Sequence, residues 1–138
     1  MDPPVMLYNL GLSSTDLEDL MKEIRSTSYI DEVESGEGPR EESPLYNEIV
    51  PAKEVPKDTS IESLLKHAGN PSVLAIADGK KDGVLIVEVK PDGKRNELRV
   101  APKDVIEVSC NCRIANMDLL EFKAMADKTG SNVYDSKR

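Results

Sequence analysis

Few residues in this sequence have the type and spacing to do chemistry. They are Cys110 and Cys112, the single histidine His67, a charged loop from Asp78 to Gly83, and two carboxylates in apolar runs, Glu88 and Glu107. A structural zinc site takes about four Cys or His ligands, and the chain holds 2 Cys and 1 His. Two cysteines this close cannot form a disulfide framework either. Their expected role is that of small buried hydrophobes.

His67 has no second histidine to work with, and no Ser or Cys stands in a nucleophile-elbow context. It reads as a surface residue near a helix end, where positive charge is mildly favoured. The loop Asp78, Gly79, Lys80, Lys81, Asp82, Gly83 lacks the further oxygen ligands of a calcium loop. It also lacks the Gly-Lys-Ser/Thr ending of a phosphate loop, so a hairpin turn is expected. No catalytic residue, metal site, cofactor or small-molecule substrate is inferred. An enzyme would have to work through carboxylates such as Glu88 and Glu107.

Binding chemistry is better represented. Lys80, Lys81, Lys90, Lys94, Arg95, Arg99 and Lys103 gather around the predicted hairpins, a candidate nucleic-acid patch. Asp82, Glu88, Asp92, Glu97 and Asp104 are interleaved with them, and no aromatic is present to stack on a base. A mixed, solvated sheet rim is the stronger expectation. Tyr46 and Ile49 lie in a short apolar island, Pro44 to Val50, behind Glu37, Glu41 and Glu42. They read either as a docking or phosphorylation segment or as a local contact that pins the chain.

Two helices stand out among the elements that must position these groups. Leu17, Leu20, Met21 and Ile24 recur at i, i+3, i+4 and i+7 behind Thr15 and Glu18 at capping-box spacing, which predicts an amphipathic helix from about Asp16 to Arg25. Its stripe is worth on the order of 4–8 kcal/mol if buried. The helix is marginal in water by itself, so it docks on its own domain or in a partner's groove. The second runs from about Met117 to Lys128 with Asn116 as N-cap. Met117, Leu120 and Ala124 form one stripe, and Leu119, Phe122 and Ala126 form another on nearly the opposite side. A helix apolar on two sides packs between two bodies, the sheet and either the N-terminal helix folded back or a second copy of the chain. Met117, Leu119, Leu120, Phe122 and Ala124 are therefore candidate oligomer-interface residues.

Between them, Thr59 and Glu62 open a short helix that carries Ile61, Leu64, Leu65 and Ala68 and ends at Gly69 and Pro71. Strands are predicted at Val73–Ala77, Val84–Val87 and Glu97–Val100, with Pro91, Asp92 and Gly93 as a turn. A longer strand is predicted at Val105–Ile114, where Ile106, Val108, Cys110, Cys112 and Ile114 alternate to one side. Residues 31–58 mix Gly36, Gly38 and several prolines with carboxylates and show no period, as a disordered linker does.

The expected fold is therefore α+β. A four-stranded, mostly antiparallel sheet carries a short leading helix and a C-terminal helix, behind an amphipathic helix and an acidic flexible linker. The expected units are an arm at 1–30, a linker at 31–58, a compact domain at 59–130 and a frayed tail at 131–138.

Charge supports that division. Residues 1–60 carry 14 acidic and 5 basic side chains, whereas residues 61–115 carry 8 and 9. An arm of that sign repels nucleic acid and anionic membrane and suits a basic protein partner. With no bilayer-length apolar run and no secretion-type N-terminus, an intracellular, cytoplasmic or nuclear, setting is expected.

The function expected from these readings is a non-enzymatic interaction protein, in the style of a regulatory subunit, polymerase cofactor or small viral accessory protein. It assembles as a homodimer or docks a protein partner through Leu17, Leu20, Met21, Ile24, Tyr46 and Ile49. The alternatives are a nucleic-acid-binding module using the basic rim and a small enzyme without a recognisable motif.

Overall fold

A six-stranded mixed sheet carries the fold in the computed structural model, which describes residues 4–33, 40–79 and 83–136. The strands are β1 (Val5–Asn9), β2 (Ile49–Pro51), β3 (Val73–Ala77), β4 (Val84–Val89), β5 (Arg95–Val100) and β6 (Val133–Tyr134). The helices are α1 (Ser14–Arg25), α2 (Tyr29–Val33), α3 (Ile61–His67), α4 (Val105–Arg113) and α5 (Leu119–Lys128). The spatial order is β2-β1-β3-β4-β5-β6. β1 runs parallel to both β2 and β3, the β3-β4-β5 meander is antiparallel, and β6 returns parallel to β5.

This architecture corrects the four-stranded, mostly antiparallel sheet expected from the sequence. Two of the added strands, β1 and β2, come from the segments read as arm and linker, and β6 comes from the segment read as a frayed tail. The predicted strand at Val105–Ile114 is instead α4. Its alternation was real, but Val105, Val108, Ser109 and Cys112 also fall at i, i+3, i+4 and i+7, and all four are buried. Pro102 stands at the start of the preceding 3-10 turn, where its missing N–H costs nothing.

Alternation along the strands separates two cores. One face presents Leu7, Val73, Ala75, Val84, Ile86, Leu98 and Val100, and the main cluster there adds Met21 and Ile24 of α1, Ile30 of α2, Val105 and Val108 of α4, and Leu119 and Phe122 of α5. The opposite face presents Tyr8, Leu74, Ile76 and Val87, covered by Leu64 and Leu65 of α3. The stripe of α1 thus lies on its own domain, and so does the apolar island, where Leu45 and Ile49 are buried. Arg25 places its guanidinium 4.9 Å from the Tyr46 ring centroid, and its Nε donates to the Tyr46 carbonyl at 3.2 Å.

Three helices begin elsewhere than the capping patterns suggested, α5 among them, which starts at Leu119 behind Asp118 rather than at Met117 behind Asn116. Ser13 caps α1 by accepting from Asp16 N, and Ser60 caps α3 by accepting from Ser63 N. The tail is held as well. Ser136 donates to the buried Asp104 carboxylate from its Oγ at 2.6 Å and from its backbone N at 2.9 Å, and the Tyr134 ring stands edge-on to Phe122. Among the described residues no helix is long and apolar enough to cross a membrane.

Candidate functional site

The joint between the sheet and the head of α5 concentrates the polar chemistry of the molecule. Glu88 stands on β4 opposite Asn96 of β5, on the same face as Val84 and Ile86, and is 3% exposed. Its Oε1 accepts from Asn96 Nδ2 and from the backbone N of Leu119, both at 3.1 Å. Leu119 is the first residue of α5. A helix N-terminus offers unpaired N–H groups and the positive end of the macrodipole, which compensates a carboxylate taken out of water.

Asp118 completes the joint through a reciprocal capping box with Glu121. Lys90 brings its ammonium to 3.7 Å from Asp118 Oδ2 and 4.0 Å from Glu88 Oε1. Cys112 of α4 meets the same carboxylate. Burial first, and then the charge of Glu88, pushes its thiol up to about 12. A thiol held protonated is a poor nucleophile at neutral pH.

A cleft of about 580 Å³ opens beside this joint, with Ser72, Lys90, Arg113 and Asn116 in its wall. Asn70 (φ 56°) and Ala115 (φ 59°), the described non-glycine residues with left-handed backbone, also line it. Arg113 is committed to Glu48, with Nη2 donating to Oε1 at 2.9 Å. No three His, Cys, Asp or Glu side chains group to hold a metal ion among the described residues. The polar groups of the joint are spent largely on one another. What the arrangement does is hold α5 in a fixed orientation on the sheet.

A family model described as a domain of unknown function, DUF6924, matches residues 28–135. The chain belongs to that family. The DUF6924 span takes in α2 and every element from β2 to β6, including the joint at Glu88 and the whole of α5. No curated protein and no solved structure matches the chain.

The residues singled out in the sequence fall into three groups. Met21, Ile24 and Ile49 are buried, and Leu17, Leu20 and Tyr46 pack partly buried against the same core. On α5 the two stripes part company. Leu119, Phe122 and Ala126 are buried, Met117 is half-buried, and Leu120 and Ala124 face outward.

The basic patch divides too. Arg99 is locked to Asp78 by two hydrogen bonds at 2.8 and 3.0 Å, and Lys90 belongs to the joint. Lys94 and Arg95 remain exposed, while Lys80 and Lys81 lie outside the described residues. Cys110 and Cys112 sit on α4 rather than a strand. His67 is exposed and its Nδ1 lies 2.7 Å from the buried Tyr8 hydroxyl, a contact across 59 positions that no local pattern announces.

Proposed function

We propose that this DUF6924 chain is a non-enzymatic interaction protein that assembles with a second copy of itself through the outer face of α5. One observation carries this reading. Of the four large apolar side chains left exposed among the described residues, three lie between residues 114 and 125: Ile114 at 57%, Leu120 at 52% and Met125 at 40%. Leu120 and Ala124 are spaced at i and i+4 and both are exposed, which puts them together on the side of α5 away from the core, while Met117, just ahead of the helix, packs partly buried against it.

Support also comes from the joint at Glu88. A helix capped, charge-compensated and anchored by its first backbone N–H presents its outer face with little conformational freedom left to lose on association. A single helix face of this kind pairs with its own copy across a two-fold axis, each residue meeting its counterpart's neighbours. Docking through α1 is not part of the proposal, because its stripe is spent on the core. The nucleic-acid reading is weakened by the commitment of Arg99 to Asp78 and of Lys90 to the joint.

Light scattering tests the proposal directly. The wild-type chain is expected at the mass of two chains, and Leu120→Glu at the mass of one with an unchanged far-ultraviolet circular dichroism spectrum. A wild-type protein that stays at one-chain mass as its concentration is raised ends the proposal.

A further inference from the structure

The geometry points to the way two copies join: β5 of one chain pairs antiparallel with β5 of the other about Asn96, so that two six-stranded sheets become one. This rests on the self-association proposed above and adds the register to it.

The sheet has one edge ready for such pairing. β6 covers β5 only at Arg99 and Val100. Successive backbone groups along a strand point to opposite sides, and three hydrogen bonds fix which way each points here. Val89 N donates to Ser72 O and Lys90 N to Lys94 O, both at 2.8 Å, so the groups of Lys94, Asn96 and Leu98 turn toward β4. Those of Arg95 and Glu97 turn outward. Further along, Ala101 N donates to Tyr134 O at 2.9 Å, so the same outward row is taken up where β6 begins. Arg95 and Glu97 thus present their N–H and C=O groups at an open edge, and both side chains are exposed. Such a row is a template for another strand. The opposite edge is a poorer one, because β2 is three residues long and ends in Pro51, which has no N–H to offer.

The occupant follows from charge. Two identical strands related by a two-fold axis through Asn96 set Arg95 opposite Glu97 of the second copy, and Glu97 opposite Arg95 of the second copy. Both positions carry outward backbone groups, so this register forms hydrogen-bonded pairs and two cross-strand pairs of opposite charge at once. A register centred on Glu97 sets like charges face to face and needs the groups of Arg99, which β6 already holds. α5 packs over this same end of the sheet, with Phe122 against Tyr134 of β6. The stripe around Leu120 therefore belongs to the end of the molecule at which the second copy arrives.

Charge reversal tests the register. Arg95 and Glu97 are exposed, so Arg95→Glu and Glu97→Arg leave the fold intact. Each single reversal is expected to weaken the dimer about tenfold or more, because both cross-strand pairs become like-charged. The double variant restores both pairs with their signs exchanged and is expected within about threefold of wild type. Amide exchange gives an independent readout: Arg95 and Glu97 N–H groups are expected to be protected in the dimer and to lose that protection on dilution.

A dimer that Leu120→Glu disrupts but the single reversals leave unchanged overturns the β5 pairing and leaves self-association standing. Single reversals that weaken the dimer without rescue in the double variant overturn the register about Asn96. A wild-type chain that remains monomeric overturns both.

Discussion

Cys112 and Glu88 show how a buried pair ties stability to pH. The Cys112 thiol is raised from 9.0 to about 12, by burial first and by Glu88 second. A group whose folded pKa lies above its unfolded one stabilises the fold below the unfolded value and loses that contribution as pH rises toward the folded value. Stability is therefore expected to fall between about pH 9 and 12, with a slope of up to about 1.4 kcal/mol per pH unit from this group. Urea midpoints measured across that range are expected to flatten in Cys112→Ala. A residual slope remains, because burial also raises Tyr8, Tyr29 and Tyr134. At neutral pH a thiol reagent is expected to modify the partly exposed Cys110 and to leave Cys112 untouched until the chain unfolds. Glu88→Ala leaves Asn96 Nδ2 and Leu119 N without their acceptor and is expected to cost about 2–3 kcal/mol by urea titration. Glu88→Gln keeps an acceptor oxygen and is expected to cost less.

The elements differ in how plainly the sequence announces them. The four apolar positions of α1 were legible because 3.6-residue periodicity needs no tertiary information, yet nothing in that stripe says what covers it. The answer lies in the turn Pro102–Asp104 and in α4, and α4 was the hard assignment. Residues 105–114 satisfy a strand period and a helix period together, and β-branched side chains tilt the reading toward strand. Pro102 and the 3-10 turn decide it for helix. β2 and β6 are short and lie among polar residues, so they exist only because a neighbouring strand supplies their hydrogen bonds. β1, in contrast, lies in an apolar run from Val5 to Leu12 behind two prolines and was legible as a strand. At the joint, Glu88 was legible only as a carboxylate in an apolar run, since its partners Asn96, Leu119 and Cys112 come from three other elements. The two stripes of α5 were legible, but not which of them faces solvent. The burial of α1 makes a clear prediction: Ile24→Ala is expected to destabilise the protein by about 2–4 kcal/mol, and the half-buried Leu20→Ala by less. A docking helix would show no such cost in the isolated chain. Equal midpoints for wild type and Ile24→Ala would contradict the packing described above.

Over the whole molecule, the acidic front half is not a separate body. Residues 1–60 supply β1, α1, α2 and β2, which close one side of the sheet and much of its main core. α1 also packs on the turn Pro102–Asp104 that follows β5, so the front half reaches both sides of the sheet's middle. A shortened chain starting at Asp58 is therefore expected to lack the cooperative unfolding transition of the full protein, observable by circular dichroism during heating.

The position of β1 also governs the order of assembly on the ribosome. The strand emerges well ahead of its two neighbours, which are encoded some forty and seventy residues later. Until both have been synthesised, Leu7 and Tyr8 have nothing to pair with, and the nascent chain must carry them exposed. Parallel pairings over such separations are slow to close. The waiting period, more than the finished protein, is when this chain is most open to a chaperone or to misassociation.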